Sequence, residues 1–198
     1  MTLKTGLEVF LKKNVPKSWG KCGLLCNQAS LLKGRKNSSI LLKEKMGRDF
    51  VALFSPQHGF DGYEQDNMIE SKNYKNKELA LPVYSLYSDL RKPNQSMLEA
   101  IDTLIIDIQL VGCRVYTFKA TIKYCLEICN KMKKSVVVLD RPNPVGGVFL
   151  EGNILSSALS SFVGPSQIPL RHGLTAGEFA SFVNKNISKS EIRRLVKS

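Results

Sequence analysis

The sequence predicts an α/β fold of the Rossmann-like, doubly wound kind, a mainly parallel sheet with helices on both faces. Three apolar runs carry that expectation: VALFSPQHGF (51–60), TLIIDIQLVGCRVYTF (103–118) and VVVLDRPNPVGG (136–147). Each is a hydrophobic stretch of strand length that ends in a polar cluster. Helical patterns separate them, and that alternation is the mark of a parallel sheet with right-handed crossovers. In such a sheet ligands bind in the crevice beyond the carboxyl ends of the strands, so the clusters are expected to converge on one site.

The elements follow in order. A first helix is expected over about 3–13, then a strand over 21–27, KCGLLCN, whose alternate residues face two helical layers. A helix at about 38–46 closes at Gly47 and leads into strand 50–54. After the polar segment 55–79, the run LPVYSLY (81–87) is rich in β-formers and opens with a proline that suits a strand start. Asn94 caps a short helix through Ala100, 103–109 is the most hydrophobic strand, and a helix over 118–133 joins it to strand 136–140. Residues 148–173 hold short β-like pieces and turns. Thr175 to Glu178 reads T-A-G-E, a capping box that opens a helix through about Asn184. The end, SKSEIRRLVKS, reads as a loose helical tail. The expected division is therefore one domain over 1–184 and a tail over 185–198, in a sequence that looks cut short.

Composition bounds the rest. With 198 residues, 43% hydrophobic and 23% charged, the chain is long enough to bury a full core. No apolar run approaches the roughly 20 residues that span a bilayer, and the N-terminus lacks the apolar stretch and small-residue site of a signal peptide. A cytoplasmic protein with no membrane partner is the expectation. The net charge of +12 raises nucleic acid as a partner. The lysines, however, are scattered over loops and helix surfaces without a recognition helix or zinc-finger spacing, so no nucleic acid is expected. Of five cysteines, Cys125 and Cys129 fall on a helix face with Phe118, Ile122, Leu126 and Met132, as small core residues do. Cys22 and Cys26 flank a strand with no histidine nearby, so a reduced compartment fits and a metal site does not. Neither a G-x-G-x-x-G nor a P-loop follows any strand, and no cofactor is expected.

The polar clusters supply the candidate chemistry. Both histidines sit in one context, Gln57-His58-Gly59 and Arg171-His172-Gly173, where a turn at a strand end offers an imidazole to a ligand. Asp107 and Asp140 end two apolar runs, and for Asp140, before Arg141-Pro142-Asn143-Pro144, the competing role is to accept N–H groups of its own turn. Arg114, Arg141 and Arg171 suit bidentate binding of a carboxylate or phosphate. Tyr116 and Tyr84 suit a sugar-stacking face, or a core position with the hydroxyl at the rim.

In order along the chain, LFSPQHGFDG, QDNMIES, LPVYSLYS, IDTLIIDIQLVGCRVYTF, VVVLDRPNPVGG, EGNIL, SFVG and IPLRHGLTAGEFA resemble the exo-β-N-acetylmuramidases of the NamZ type, the DUF1343 or YbbC-like proteins. The resemblance covers about 20–184. It implies a Rossmann-like N-terminal domain without a nucleotide, a C-terminal domain, and an active site between them. It also implies an activity, release of terminal N-acetylmuramic acid from peptidoglycan fragments in cell-wall turnover. On that basis Gln57, His58, Asp107 and Asp140 occupy catalytic positions, and Arg114, Tyr116, Arg141, Asn143, Arg171 and His172 contact substrate. Two departures accompany it. Gln57 stands where the family's S/G-P-E-H-G motif carries its proposed catalytic glutamate, and an amide cannot act as general acid or base. Glu64 or Glu70 is then the alternative acid, with a solvated loop position as the competing reading. The family also runs to roughly twice this length, which predicts an impaired fragment and, as a partner, a separately encoded C-terminal half. The alternative function is a catalytically silent sugar-binding module or a non-functional gene fragment.

Overall fold

The computed structural model describes residues 3–33, 36–63, 72–87, 91–187 and 192–195. The segments 64–71 and 188–191 are among those outside it, so Glu64 and Glu70 lie outside the described residues. Seven strands form one sheet: β1 Cys22–Cys26, β2 Phe50–Ser55, β3 Tyr74–Asn76, β4 Leu81–Ser85, β5 Thr103–Asp107, β6 Ser135–Leu139 and β7 Ile192–Leu195. Their order is β3-β4-β2-β1-β5-β6-β7, and every pair is parallel except β3 with β4. Counting the parallel strands alone, the order is 3-2-1-4-5-6, the dinucleotide-fold winding, and it reverses direction at β1. The loops leaving β1 and β5 therefore part to opposite sides, which opens a crevice at their carboxyl ends.

Helices α1 Gly6–Leu11 and α2 Ser38–Met46 cover one face, and α3 Gln95–Glu99, α4 Phe118–Lys131 and α5 Ala176–Ile187 the other. Because β1, β5 and β6 are covered on both sides, their residues alternate between two cores. Leu25, Leu104, Ile106, Val136 and Val138 pack towards α4 and α5, whereas Leu24, Ile105, Val137 and Leu139 pack towards α1 and α2. This is why the strands read as unbroken apolar runs. On α4 the buried stripe runs Phe118, Ile122, Cys125, Leu126 and Cys129, and both cysteines are free thiols. Removing the Leu126 side chain to alanine from this packing costs about 2–5 kcal/mol.

Local chemistry sets the helix ends. Asn94 Oδ1 accepts the Met97 N–H at 3.0 Å, and Gly47 ends α2 at φ +57°. At α5 the capping box forms as read, with Glu178 N–H donating to Thr175 Oγ1 at 3.2 Å and Thr175 N–H to Glu178 Oε2 at 2.9 Å. A second box, Thr5 with Glu8, opens α1, which is shorter than the 3–13 expected.

Two segments differ from the sequence reading. Residues 192–195, read as part of a helical tail, are the parallel edge strand β7, in register from Val136↔Ile192 to Leu139↔Leu195. β6 is too apolar to serve as an open edge, and pairing satisfies its outward backbone groups. Within the polar segment 55–79, Tyr74–Asn76 forms β3 antiparallel to β4. No described helix is long and apolar enough to cross a membrane.

Candidate functional site

The carboxyl ends of β1, β2, β5 and β6 share one edge of the sheet, and the loops that leave them build the site. Its floor is a buried ion pair. Arg141, just past β6, donates from Nε to Asp107 Oδ1 at 2.6 Å and from Nη2 to Oδ2 at 2.9 Å, while its Nη1 donates to the Leu31 carbonyl at 3.2 Å. Ser30 Oγ donates to the Asp107 carbonyl. The guanidinium is thus engaged on all three nitrogens by the scaffold. Arg141 and Asp107, read from sequence as separate site residues, are one fixed unit beneath it.

Asp140 is likewise engaged. Its Oδ1 accepts the N–H groups of Arg141 at 2.9 Å and Gly177 at 2.8 Å, and its Oδ2 accepts from Thr175 Oγ1 at 2.7 Å. The carboxylate serves its own turn, as the competing reading had it, and also the first turn of α5, where negative charge is favoured by the exposed helix N–H groups.

One wall comes from the turn after β2 and the loop between β5 and α4. Gln57 Oε1 accepts from Thr117 Oγ1 at 2.7 Å, which joins the two. His58 follows in the left-handed region at φ +73°, an uncommon conformation for a residue with a side chain, and it is partly exposed. Tyr116 lies against Phe118 with ring centroids 4.7 Å apart, and burial raises its phenol pKa. Tyr84 instead packs on Phe54 at 5.4 Å as part of the core.

The opposite wall is the return of residues 148–173 across the same loop. His172 N–H donates to the Gly112 carbonyl at 2.9 Å, and Arg114 N–H to that of Leu170 at 2.7 Å. Gly112 sits at φ +71°, and a Cβ there would meet Val145 Cγ2 at 2.3 Å and Asn143 Oδ1 at 2.6 Å, so glycine is required for this approach. Asn143 spans the turn, with Oδ1 accepting from Val145 N–H at 3.1 Å and Nδ2 donating to the Leu174 carbonyl at 3.3 Å. Arg114 Nη1 donates to the carbonyls of Asn153 at 2.6 Å and Ile168 at 2.8 Å. Arg171 pairs with Glu151 at 3.2 Å and donates to the Val145 carbonyl at 2.8 Å, and its buried Nε has no partner.

Below this wall lies Lys119, which the sequence reading did not single out. It is fully buried on the first turn of α4, and its Nζ donates to the carbonyls of Tyr116 at 2.9 Å and Cys113 at 3.4 Å. Burial lowers its pKa to about 8, with the Arg114 charge acting in the same sense and Cys113 in the opposite one. His172 is also buried, and its Nδ1 has no hydrogen-bond partner. Burial first, and the Lys119 charge second, push its pKa down. Burial and the nearby Lys119 charge therefore favour the neutral imidazole at His172, packed beneath this wall. Among the described residues no three His, Cys, Asp or Glu side chains gather as a metal site would require.

Fold and site together define a Rossmann-wound α/β domain that lacks a phosphate-binding glycine loop and gathers polar and charged side chains at the carboxyl ends of its strands, by the topological switch point. The chain belongs to the family described as exo-β-N-acetylmuramidase NamZ, N-terminal, whose model matches residues 22–196. It is 41% identical over 187 residues to the peptidoglycan β-N-acetylmuramidase NamZ of Bacillus subtilis strain 168, covering 94% of this chain and 45% of that protein. Two crystal structures of DUF1343 family proteins from Bacteroides fragilis share the fold. One has a TM-score of 0.87 at 35% identity, covering 98% of this chain and 49% of the other; the second has 0.75 at 30%, covering 99% and 52%. The chain thus spans about half the length of the relatives it matches.

Proposed function

We propose that this chain forms the sugar-binding half of an exo-acting β-N-acetylmuramidase, a glycoside hydrolase that releases terminal N-acetylmuramic acid from peptidoglycan fragments. The observation that carries the proposal is the 41% identity to a peptidoglycan β-N-acetylmuramidase along 94% of the chain. In this reading the partners are muramic-acid-containing fragments and a polypeptide corresponding to the other half of the relatives.

The geometry supports specific roles. Glycoside cleavage needs an acid for the leaving oxygen and a second group that stabilises the oxocarbenium-like centre, either a carboxylate or the sugar's own acetamido group. Gln57, held by Thr117, and His58 orient the sugar or water; His172, neutral and buried, supplies a hydrogen bond. Arg171 or Arg114 reads the lactyl carboxylate that distinguishes muramic acid from glucosamine. Arg141, Asp107 and Asp140 hold these groups in place. With Asp107 and Asp140 engaged, the acid is assigned to Glu64 or Glu70 or to the other half of the enzyme.

A second reading is favoured by Gln57 itself: a sugar-binding module that does not hydrolyse. An assay of muramic acid release from a chromogenic β-N-acetylmuraminide, run beside calorimetric titration with N-acetylmuramic acid, separates the two. Release supports the muramidase, affinity without release supports the silent module, and neither rejects both.

A further inference from the structure

From Pro142 to Leu170 the chain carries one charged residue, Glu151, in 29 positions, although 23% of the whole sequence is charged. The stretch is nevertheless at the surface. Val148 is 83% exposed, Phe149 64%, Leu150 66%, Ile154 70% and Leu159 69%. Nor is it loosely attached. Glu151 and Arg171 exchange backbone hydrogen bonds at 2.9 and 3.2 Å, and Leu155 N–H donates to the Ile168 carbonyl at 3.3 Å. The Arg171 guanidinium lies over the Phe149 ring, 5.7 Å from its centre. A fixed apolar face whose one charge, Glu151, is paired with Arg171, on a protein of net charge +12, has the composition of an interface core rather than of a solvated surface.

The same residues rim the crevice, because Arg171 and Arg114 are tied to them. The relatives contain a further half that this chain does not cover, 55% of the B. subtilis protein by the 45% that it does. We propose that the face formed by Val148, Phe149, Leu150 and Ile154 docks the part of the family's polypeptide that lies outside the matched segment, which thereby closes one side of the crevice. This deepens the muramidase reading by naming the surface on which the rest of the enzyme sits. It also explains why the arginines of the site are used to brace an exposed segment: docking then places both walls of the crevice relative to each other, and excluding water there strengthens every polar contact with a sugar.

The test is a fusion of residues 1–198 to the part of the B. subtilis relative outside the matched segment, compared with the free chain by hydrogen–deuterium exchange. Peptides covering 147–159 are expected to exchange about tenfold more slowly in the fusion, in line with burial of a surface segment. Substituting Val148→Asp, Phe149→Asp and Leu150→Asp is expected to restore the fast rate, and Leu3→Asp, at an exposed apolar residue elsewhere, to leave it slow. Unchanged exchange in the fusion overturns the proposal, as does protection that survives the triple substitution. Light scattering on the free chain supplies the remaining arm: a dimer already protecting 147–159 makes this face a contact between two copies and overturns it as well. Sugar release is read separately, so a fusion that is protected but inactive keeps the docking surface and rejects the muramidase.

Discussion

Asp107 and Arg141 meet through two parallel hydrogen bonds, 2.6 Å from Nε to Oδ1 and 2.9 Å from Nη2 to Oδ2, at the carboxyl ends of the adjacent strands β5 and β6. The carboxylate is fully buried and the guanidinium 8% exposed. Breaking a buried pair by removing one partner leaves an uncompensated charge and costs about 3–5 kcal/mol. Arg141→Met and Asp107→Asn are each expected to lose that much in urea unfolding. The double variant is expected to lose clearly less than the sum, because neither charge is then stranded. Additive losses would show that the two act independently.

That pair also marks where sequence reading stops. β1, β5 and β6 were legible because burial on both faces forces continuous apolar runs, and the Thr175 capping box because it is written within four residues. Asp107 and Arg141 are 34 positions apart, and only the register of β5 against β6 brings them together. β3, with the sequence Tyr-Lys-Asn, has exposed tyrosine and lysine side chains and hence no alternation to detect. β7 lies in a charge-rich segment, and its state comes from backbone pairing with β6. A lysine such as Lys119 normally signals a solvated position. Here two carbonyls receive its ammonium, and the only signal was its place among Phe118, Ala120 and Ile122.

Lys119 makes stability depend on pH with a sign that can be worked out. Its pKa is about 8 folded and 10.5 as a free side chain, so below pH 8 both states carry the charge and the folded state bears the full cost of burying it. As pH rises from 8 towards 10.5 the folded state releases its proton first, and folding gains. The gain approaches about 3 kcal/mol, from 1.36 kcal/mol per pH unit. Denaturant unfolding of the wild type, minus that of Lys119→Met, is expected to rise between neutral pH and pH 10.5. A flat difference would mean that the ammonium is hydrated in solution.

His172 has the same sign at lower pH. Its pKa is depressed below 6.5, so its contribution is present above that value and fades as pH falls below it. The chain contains two histidines, so both imidazole resonances can be followed by NMR. His172 is expected to titrate below the free value, and Lys119→Met to raise its midpoint by removing a nearby positive charge. A midpoint that does not move would remove Lys119 from the electrostatics of the site.

Gln57 gives the functional prediction with the widest range. Gln57→Glu retains an Oε1 to accept from Thr117 and restores a group able to transfer a proton. If this position is the acid of the reaction, release of muramic acid is expected to rise by about 10²-fold or more, the usual scale of general acid catalysis. Equal release by both forms places the acid elsewhere, with Glu64→Gln and Glu70→Gln as the next variants.

Arg171 tests substrate choice. Two of its nitrogens already serve Glu151 and the Val145 carbonyl, and the side chain remains 31% exposed, which leaves an outer face of the guanidinium for a ligand carboxylate. A site built to hydrogen-bond an anion loses most on the ligand that carries it. Arg171→Met is therefore expected to weaken N-acetylmuramic acid at least about tenfold in calorimetric titration, a loss of about 1.4 kcal/mol, and to leave N-acetylglucosamine nearly unchanged. Equal losses for both sugars would mean that Arg171 acts through the Glu151 brace alone, and the lactyl carboxylate would then fall to Arg114.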